Sequence, residues 1–99
     1  MIRAIALRRE AQQEFDEAFD WYEGRRPGLG RQFAERIQEV LDRIAANPEM
    51  HAVVYKNARN AIVRRFPYSV FYQIEPKEII VLAIFHGKRN PRIWQDRVK

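Results

Sequence analysis

Seven consecutive apolar residues, Ile79-Ile80-Val81-Leu82-Ala83-Ile84-Phe85, run without a polar interruption. A membrane span needs about 20 such residues, so the run is far too short to be one. A strand that is apolar at every position must be covered on both faces. The segment therefore predicts a central strand with a layer on each side. A chain of 99 residues supplies those layers from a single domain, residues 1–99. At that length folding buries roughly two thirds of the unfolded surface, enough for one modest core.

The rest of the chain divides by period. Residues 2–7 alternate weakly around Ile2, Ile5 and Leu7 and predict a first strand. Ala11, Phe15, Ala18, Phe19 and Tyr22 then fall on one helical face. The opposite face carries Glu10, Glu14, Asp16, Glu17, Asp20 and Glu23, which read as solvated carboxylates. Gly24 and Pro27-Gly28 end that helix. Leu29, Phe33, Ile37, Val40, Leu41 and Ile44 mark a second helix, stopped at Asn47-Pro48 because proline disfavours helical backbone in the residue before it. Ala61–Phe66, Tyr68–Ile74 and Ile79–Phe85 read as strands, the last two joined as a hairpin through residues 75–78. Tyr68, Val70 and Tyr72 share one face of their strand; Ser69, Phe71 and Gln73 share the other. Pro91 to Val98 predicts a turn or two of helix around Ile93 and Trp94. The expected class is α+β: an N-terminal strand, a helical hairpin, a three-stranded antiparallel meander and a short C-terminal helical tail.

Charge is unevenly spread. Residues 1–50 hold eight arginines and ten acids; residues 51–99 hold ten Lys or Arg and three acids. No acid lies between His51 and Ile74. Such a basic half suits an anionic partner: nucleic acid, an acidic protein segment or a lipid headgroup. The first residues lack an apolar core followed by a small-residue cleavage site, so a cytoplasmic protein without a membrane partner is expected.

Several chemistries have no support. Cysteine is absent, and His51 and His86 belong to no ligand-spaced pair, so no metal or other cofactor is expected. Gly28 and Gly30 form a G-x-G after a turn rather than a strand, the wrong context for dinucleotide binding. Metal-free RNA cleavage needs a base, cations around the phosphorane and an acid. His86 is the candidate base or acid, with Arg64, Arg65, Lys56 and Arg89 as cations. On a strand, Arg64 and Arg65 would point to opposite faces. Trp94, between Arg92 and Arg97, reads either as an anchor for the tail or as a platform for a base.

Three stretches taken together resemble the RelE/ParE superfamily, small toxins of bacterial type II toxin–antitoxin systems. They are Phe15 with Phe19-Asp20-Trp21-Tyr22; Arg64-Arg65-Phe66-Pro67-Tyr68-Ser69-Val70-Phe71-Tyr72; and the apolar strand ending in His86 with Gly87-Lys88-Arg89-Asn90-Pro91-Arg92-Ile93-Trp94-Gln95-Asp96-Arg97. The resemblance implies two helices on a twisted antiparallel sheet. It also implies a cognate antitoxin whose acidic, partly disordered segment folds over the toxin in a hetero-oligomer. Two activities compete: RelE-like members cut mRNA on the ribosome, and ParE-like members poison DNA gyrase. Aligned on Tyr68 to Tyr72 and on Gly87-Lys88-Arg89, the RelE arginine falls on Ser69 and two lysines fall on Asn60 and Ile62. The strand-end arginine is kept as Arg89, and the catalytic tyrosine falls near Trp94 or Gln95. One of the five positions is retained, so the RelE mechanism does not carry over intact; His86 followed by a basic tail resembles the ParE side more. The resemblance thus implies a gyrase-binding toxin of the plasmid-stabilisation kind. Arg65, Lys88, Arg92, Trp94 and Arg97 are then the expected contacts to target or antitoxin. The competing implication is a metal-independent endoribonuclease using His86, Arg64 and Arg89; a non-toxic binding module with the same fold is a third.

Overall fold

The structure, a computed structural model, describes residues 3–98. Strand β1 (Ala4–Leu7) leads into helix α1 (Arg9–Arg25), and α2 (Leu29–Ala46) returns antiparallel to it. A 3-10 turn (Pro48–Met50) precedes β2 (Val53–Tyr55), β3 (Ala58–Ile62), β4 (Tyr68–Ile74) and β5 (Glu78–His86). A single-turn helix, α3 (Arg92–Gln95), ends the described chain. The sheet order is β1-β5-β4-β3-β2. β1 runs parallel to β5, and every other pairing is antiparallel. No helix among the described residues is long and apolar enough to cross a membrane.

The class is as expected, α+β with a helical hairpin and a meander, but the sheet has a fifth strand. β2 is short, exposed and kinked by a register shift, so its three residues carry no clear period. The strand expected over Ala61–Phe66 instead spans Ala58–Ile62, and Arg64 and Arg65 lie in the turn before β4. Pro67 has no N–H to continue a ladder, and Arg65 sits at a left-handed φ of 69° that no strand residue adopts. Strand parity therefore does not govern those two arginines.

β5 is flanked by β1 and β4, and Val81 to Phe85 are all buried. Its two faces serve two cores. Ile79, Val81 and Ile84 meet the helices together with Phe33, Ile37, Val40 and Ile44. Leu82, Ala83 and Phe85 meet Ala58 and Trp94 on the other face. The register slips between Phe71 and Tyr72: Phe71 opposes Ala83 and Tyr72 opposes Val81. Leu82 is the extra residue of a bulge, which puts two neighbours, Leu82 and Ala83, in the same cluster.

Phe33 is fully buried among the rings of Phe15, Tyr22, Phe66 and Tyr68, with centroids 5.1–5.7 Å away. The hairpin turn is held by Glu23, which accepts from the backbone N–H of Gly28 (2.9 Å) and of Gly30 (3.0 Å). A Cβ on Gly30 would lie 2.8 Å from the carbonyl oxygen of Phe19, so the helices cross where only glycine fits. Gly30→Ala should destabilise the protein by about 1–3 kcal/mol, measured by urea unfolding.

Tyr72 is fully buried and donates its hydroxyl to the carbonyl of Pro48 at 2.6 Å. Burial pushes its pKa up to about 12, against a modest opposing pull from Arg59. In the unfolded chain the phenol ionises near pH 10. The raised folded value contributes stability that is fully present below pH 10 and lost as pH climbs through about 12. Tyr72→Phe should flatten the fall in stability across that window, measured by urea unfolding at stepped pH.

Candidate binding groove at the end of β5

β1 is shorter than β5. Its last paired residue is Leu7, opposite Val81, and the Arg8 N–H closes the ladder on the Val81 carbonyl at 3.0 Å. Beyond that point the outer edge of β5 has no neighbouring strand. Two side chains take the place of one. Glu14 accepts the Ile84 N–H at 3.1 Å, and Arg97 donates to the Leu82 carbonyl at 3.0 Å. The two side chains then pair bidentately, Nη1 to Oε1 and Nη2 to Oε2, each at 3.0 Å. Arg89 adds a third cationic contact at 2.8 Å on Oε2. Glu14 is 11% exposed and Arg97 13%, so this pair is shielded and charge-assisted, whereas Arg89 is 42% exposed.

This cluster is the floor of a groove of about 420 Å³ between α1 and the end of β5. α1 contributes Glu10, Gln13, Glu14, Glu17, Ala18 and Trp21, one stripe at helical spacing. Tyr68, Ile84, His86, Arg89 and Arg97 form the other wall. The Tyr68 and His86 rings meet edge to face at 5.2 Å, as their pairing in the β4–β5 ladder dictates.

Five groups there have the chemistry of a base, Glu10, Glu14, Glu17, Tyr68 and His86, and the last two and Glu14 are engaged. His86 Nδ1 accepts the Lys88 N–H at 3.0 Å, which assigns the ring proton to Nε2 and makes His86 a donor. Tyr68 has its pKa raised by burial, then by neighbouring Tyr22 and Glu14, against a pull from Arg89, so it is a phenol at neutral pH. Glu14 is committed to two arginines and a backbone N–H. On geometry the groove can donate hydrogen bonds and offer an aromatic face; the carboxylates left on its α1 wall are Glu10, 3.9 Å from Arg8, and exposed Glu17.

The sequence candidates scatter around this groove. His86 and Arg89 line it, but Arg64 does not. Arg64, Arg65, Lys88 and Arg92 are exposed on the turns at the same end of the sheet. Trp94 is 3% exposed, stacked on Phe71 with centroids 3.9 Å apart and edge-on to Tyr55. It anchors the tail and offers no free face to a partner. Arg97, expected as a contact residue, is spent inside the molecule on Glu14 and Leu82. Glu14 itself corrects the reading of α1 as wholly solvated on its acidic side. Its signal is present in the chain: Ala11, Glu14 and Ala18 share a stripe, and the two small residues let that stripe lie against β5. Glu14→Gln should cost about 2–4 kcal/mol in urea unfolding, because it leaves the part-buried Arg97 without its counter-charge. A conservative Glu14→Asp change should recover little, since the carboxylate would retreat from the Ile84 N–H.

A family model described as "ParE toxin of type II toxin-antitoxin system, parDE" matches residues 5–91. The chain is 29% identical over 92 residues to Toxin ParE2 of Mycobacterium tuberculosis, in strains CDC 1551 / Oshkosh and ATCC 25618 / H37Rv. That alignment covers 92% of this chain and 88% of the relative. The fold is similar to a chain of a solved structure titled "Chromosomal ParDE TA system from P. aeruginosa", with a TM-score of 0.77 and 20% identity. The superposition covers 88% of this chain and 98% of that one.

Proposed function

The chain belongs to the ParE family of toxins of type II toxin–antitoxin systems, and from that premise we propose that it arrests bacterial growth by binding DNA gyrase and is neutralised by a cognate antitoxin. The observation that carries binding over cleavage is the groove at the end of β5. His86 is held as a donor by the Lys88 N–H, and Glu14 is consumed by Arg89 and Arg97. Cleavage through His86 as base or through Glu14 would need that group free. The site of action on this reading is the cytoplasm, where gyrase works.

The antitoxin reading is supported by the opposite sheet edge. Val53 and Val54 on β2 are 51% and 48% exposed, and Met50 just before them 56%. Lys56, in the turn after β2, lies in a stretch without any acid. An acidic, partly disordered segment with apolar side chains complements that surface, and covering it would form the hetero-oligomer.

Purified chain added to gyrase and relaxed plasmid should block supercoiling, and His86→Ala should block it as well as the parent does. Unaltered supercoiling, together with new codon-phased mRNA 5′ ends minutes after induction in cells, would replace this reading with an mRNA interferase. Loss of those cuts in His86→Ala would then identify the catalytic group.

A further inference from the structure

Three turns meet at one end of the molecule. The last turn of α1 is joined to the β3–β4 turn by the Tyr22 and Phe66 rings, 4.9 Å apart. The β3–β4 turn is joined to the turn after β5 by the Gly87 N–H on the Pro67 carbonyl at 2.8 Å. These turns carry Arg25, Arg26, Arg64, Arg65 and Lys88, and Arg92 stands at the start of α3 just beyond them, all exposed. None of the six has an ion-pair partner among the described residues. Glu23, an acid of this end, is already committed to the Gly28 and Gly30 N–H groups. Arg65 holds its left-handed backbone here without glycine's freedom.

Beside the cations stands Trp21. It is 57% exposed, lines the groove, and has the Arg25 guanidinium 4.6 Å from its ring centre. An exposed indole with an unpaired arginine over its ring is what a flexible polyanion with planar bases recognises: phosphates meet the guanidinium forks, and a base stacks on the ring. Five of the six cations are arginine, whose planar forks suit phosphate. Glu10 and Glu17, on the same α1 stripe as Trp21, put negative charge in the groove and leave the phosphate chain to its rim.

We propose that this end of the protein binds single-stranded nucleic acid without cutting it, phosphates along the six cations and one base on Trp21. An acidic peptide would use the cations but not the indole, and a duplex would keep its bases from Trp21. The proposal goes beyond the gyrase reading and does not need it: the test contains no gyrase, and its failure leaves supercoiling inhibition untouched.

The probe is a fluorescein-labelled 12-nucleotide oligodeoxythymidylate titrated with the full chain across a KCl series, read by anisotropy and by tryptophan emission. The chain has two tryptophans, and Trp94 is buried, so quenching on binding reports Trp21. The slope of log K against log salt should be about −3 to −4, at about −0.7 for each phosphate met. Arg64→Ala with Arg65→Ala should weaken binding and lower that slope by about 1.4. Trp21→Ala should weaken binding by about 5- to 150-fold and abolish the quench, while Trp21→Tyr retains most of the affinity. Arg43→Ala and Lys77→Ala, away from this end, should leave binding unchanged. Circular dichroism confirms that each variant is folded. The proposal is overturned by no binding at 50 mM KCl, or by Trp21→Ala and the arginine variants matching the two controls. Polyglutamate displacing the oligonucleotide equally well, with no tryptophan quench, would also overturn it and make this an acidic-protein surface.

Discussion

The bidentate pair between Glu14 and Arg97 closes the edge of β5 where β1 stops. A sheet edge inside a fold leaves backbone donors and acceptors that must find partners. Here a carboxylate from α1 takes the Ile84 N–H, and a guanidinium from the tail reaches the Leu82 carbonyl. Each group would be costly to shield alone; together they satisfy one another and the backbone. One contact therefore fixes three things: where α1 lies along β5, where the C-terminal segment returns, and how the groove's floor is charged.

The bulge at Leu82 is the matching device on the strand. By placing Leu82 and Ala83 on one face it widens the surface on which Trp94 and Phe71 stack. The tail is thus held at two points, by Trp94 on one face of the sheet and by Arg97 at its edge. Function is left to what these contacts do not consume. Among the described residues Arg25, Arg26, Arg64, Arg65, Lys88 and Arg92 pair with no carboxylate, and Trp21 stays 57% exposed. A rigid end of a sheet carrying unpaired charge and an open aromatic ring is suited to recognition, because little has to be ordered on binding.

Much of the fold was legible because its signals are local. The helical stripes of Phe15, Tyr22, Phe33 and Ile37, the break at Asn47-Pro48 and the unbroken run ending at Phe85 each follow from a period or a backbone restriction. The β2 strand was not legible, since three half-exposed residues with a register shift carry no period. The extent of β3 was misread for a related reason: Val63 to Phe66 is rich in strand-forming residues, yet Arg65 is set by the turn. The ParE resemblance rested on the order of several short segments, and the family match over residues 5–91 agrees with it.

The sequence by itself determined the two helices, the doubly covered central strand, the uneven charge and the family. Each depends on residues close together in the chain, where spacing and residue type are sufficient. Tertiary structure alone decided which charges are spent and which are free. Arg97 and Arg92 look alike in sequence, five residues apart. One is part-buried and paired with a carboxylate 83 positions away, and the other is open to solvent. Trp21 and Trp94 divide in the same way, one a ring in solvent and the other the anchor of the tail. The physical reason is that the worth of a charge or a ring depends on its neighbours in space, and those are set only when the edge of β5 is closed.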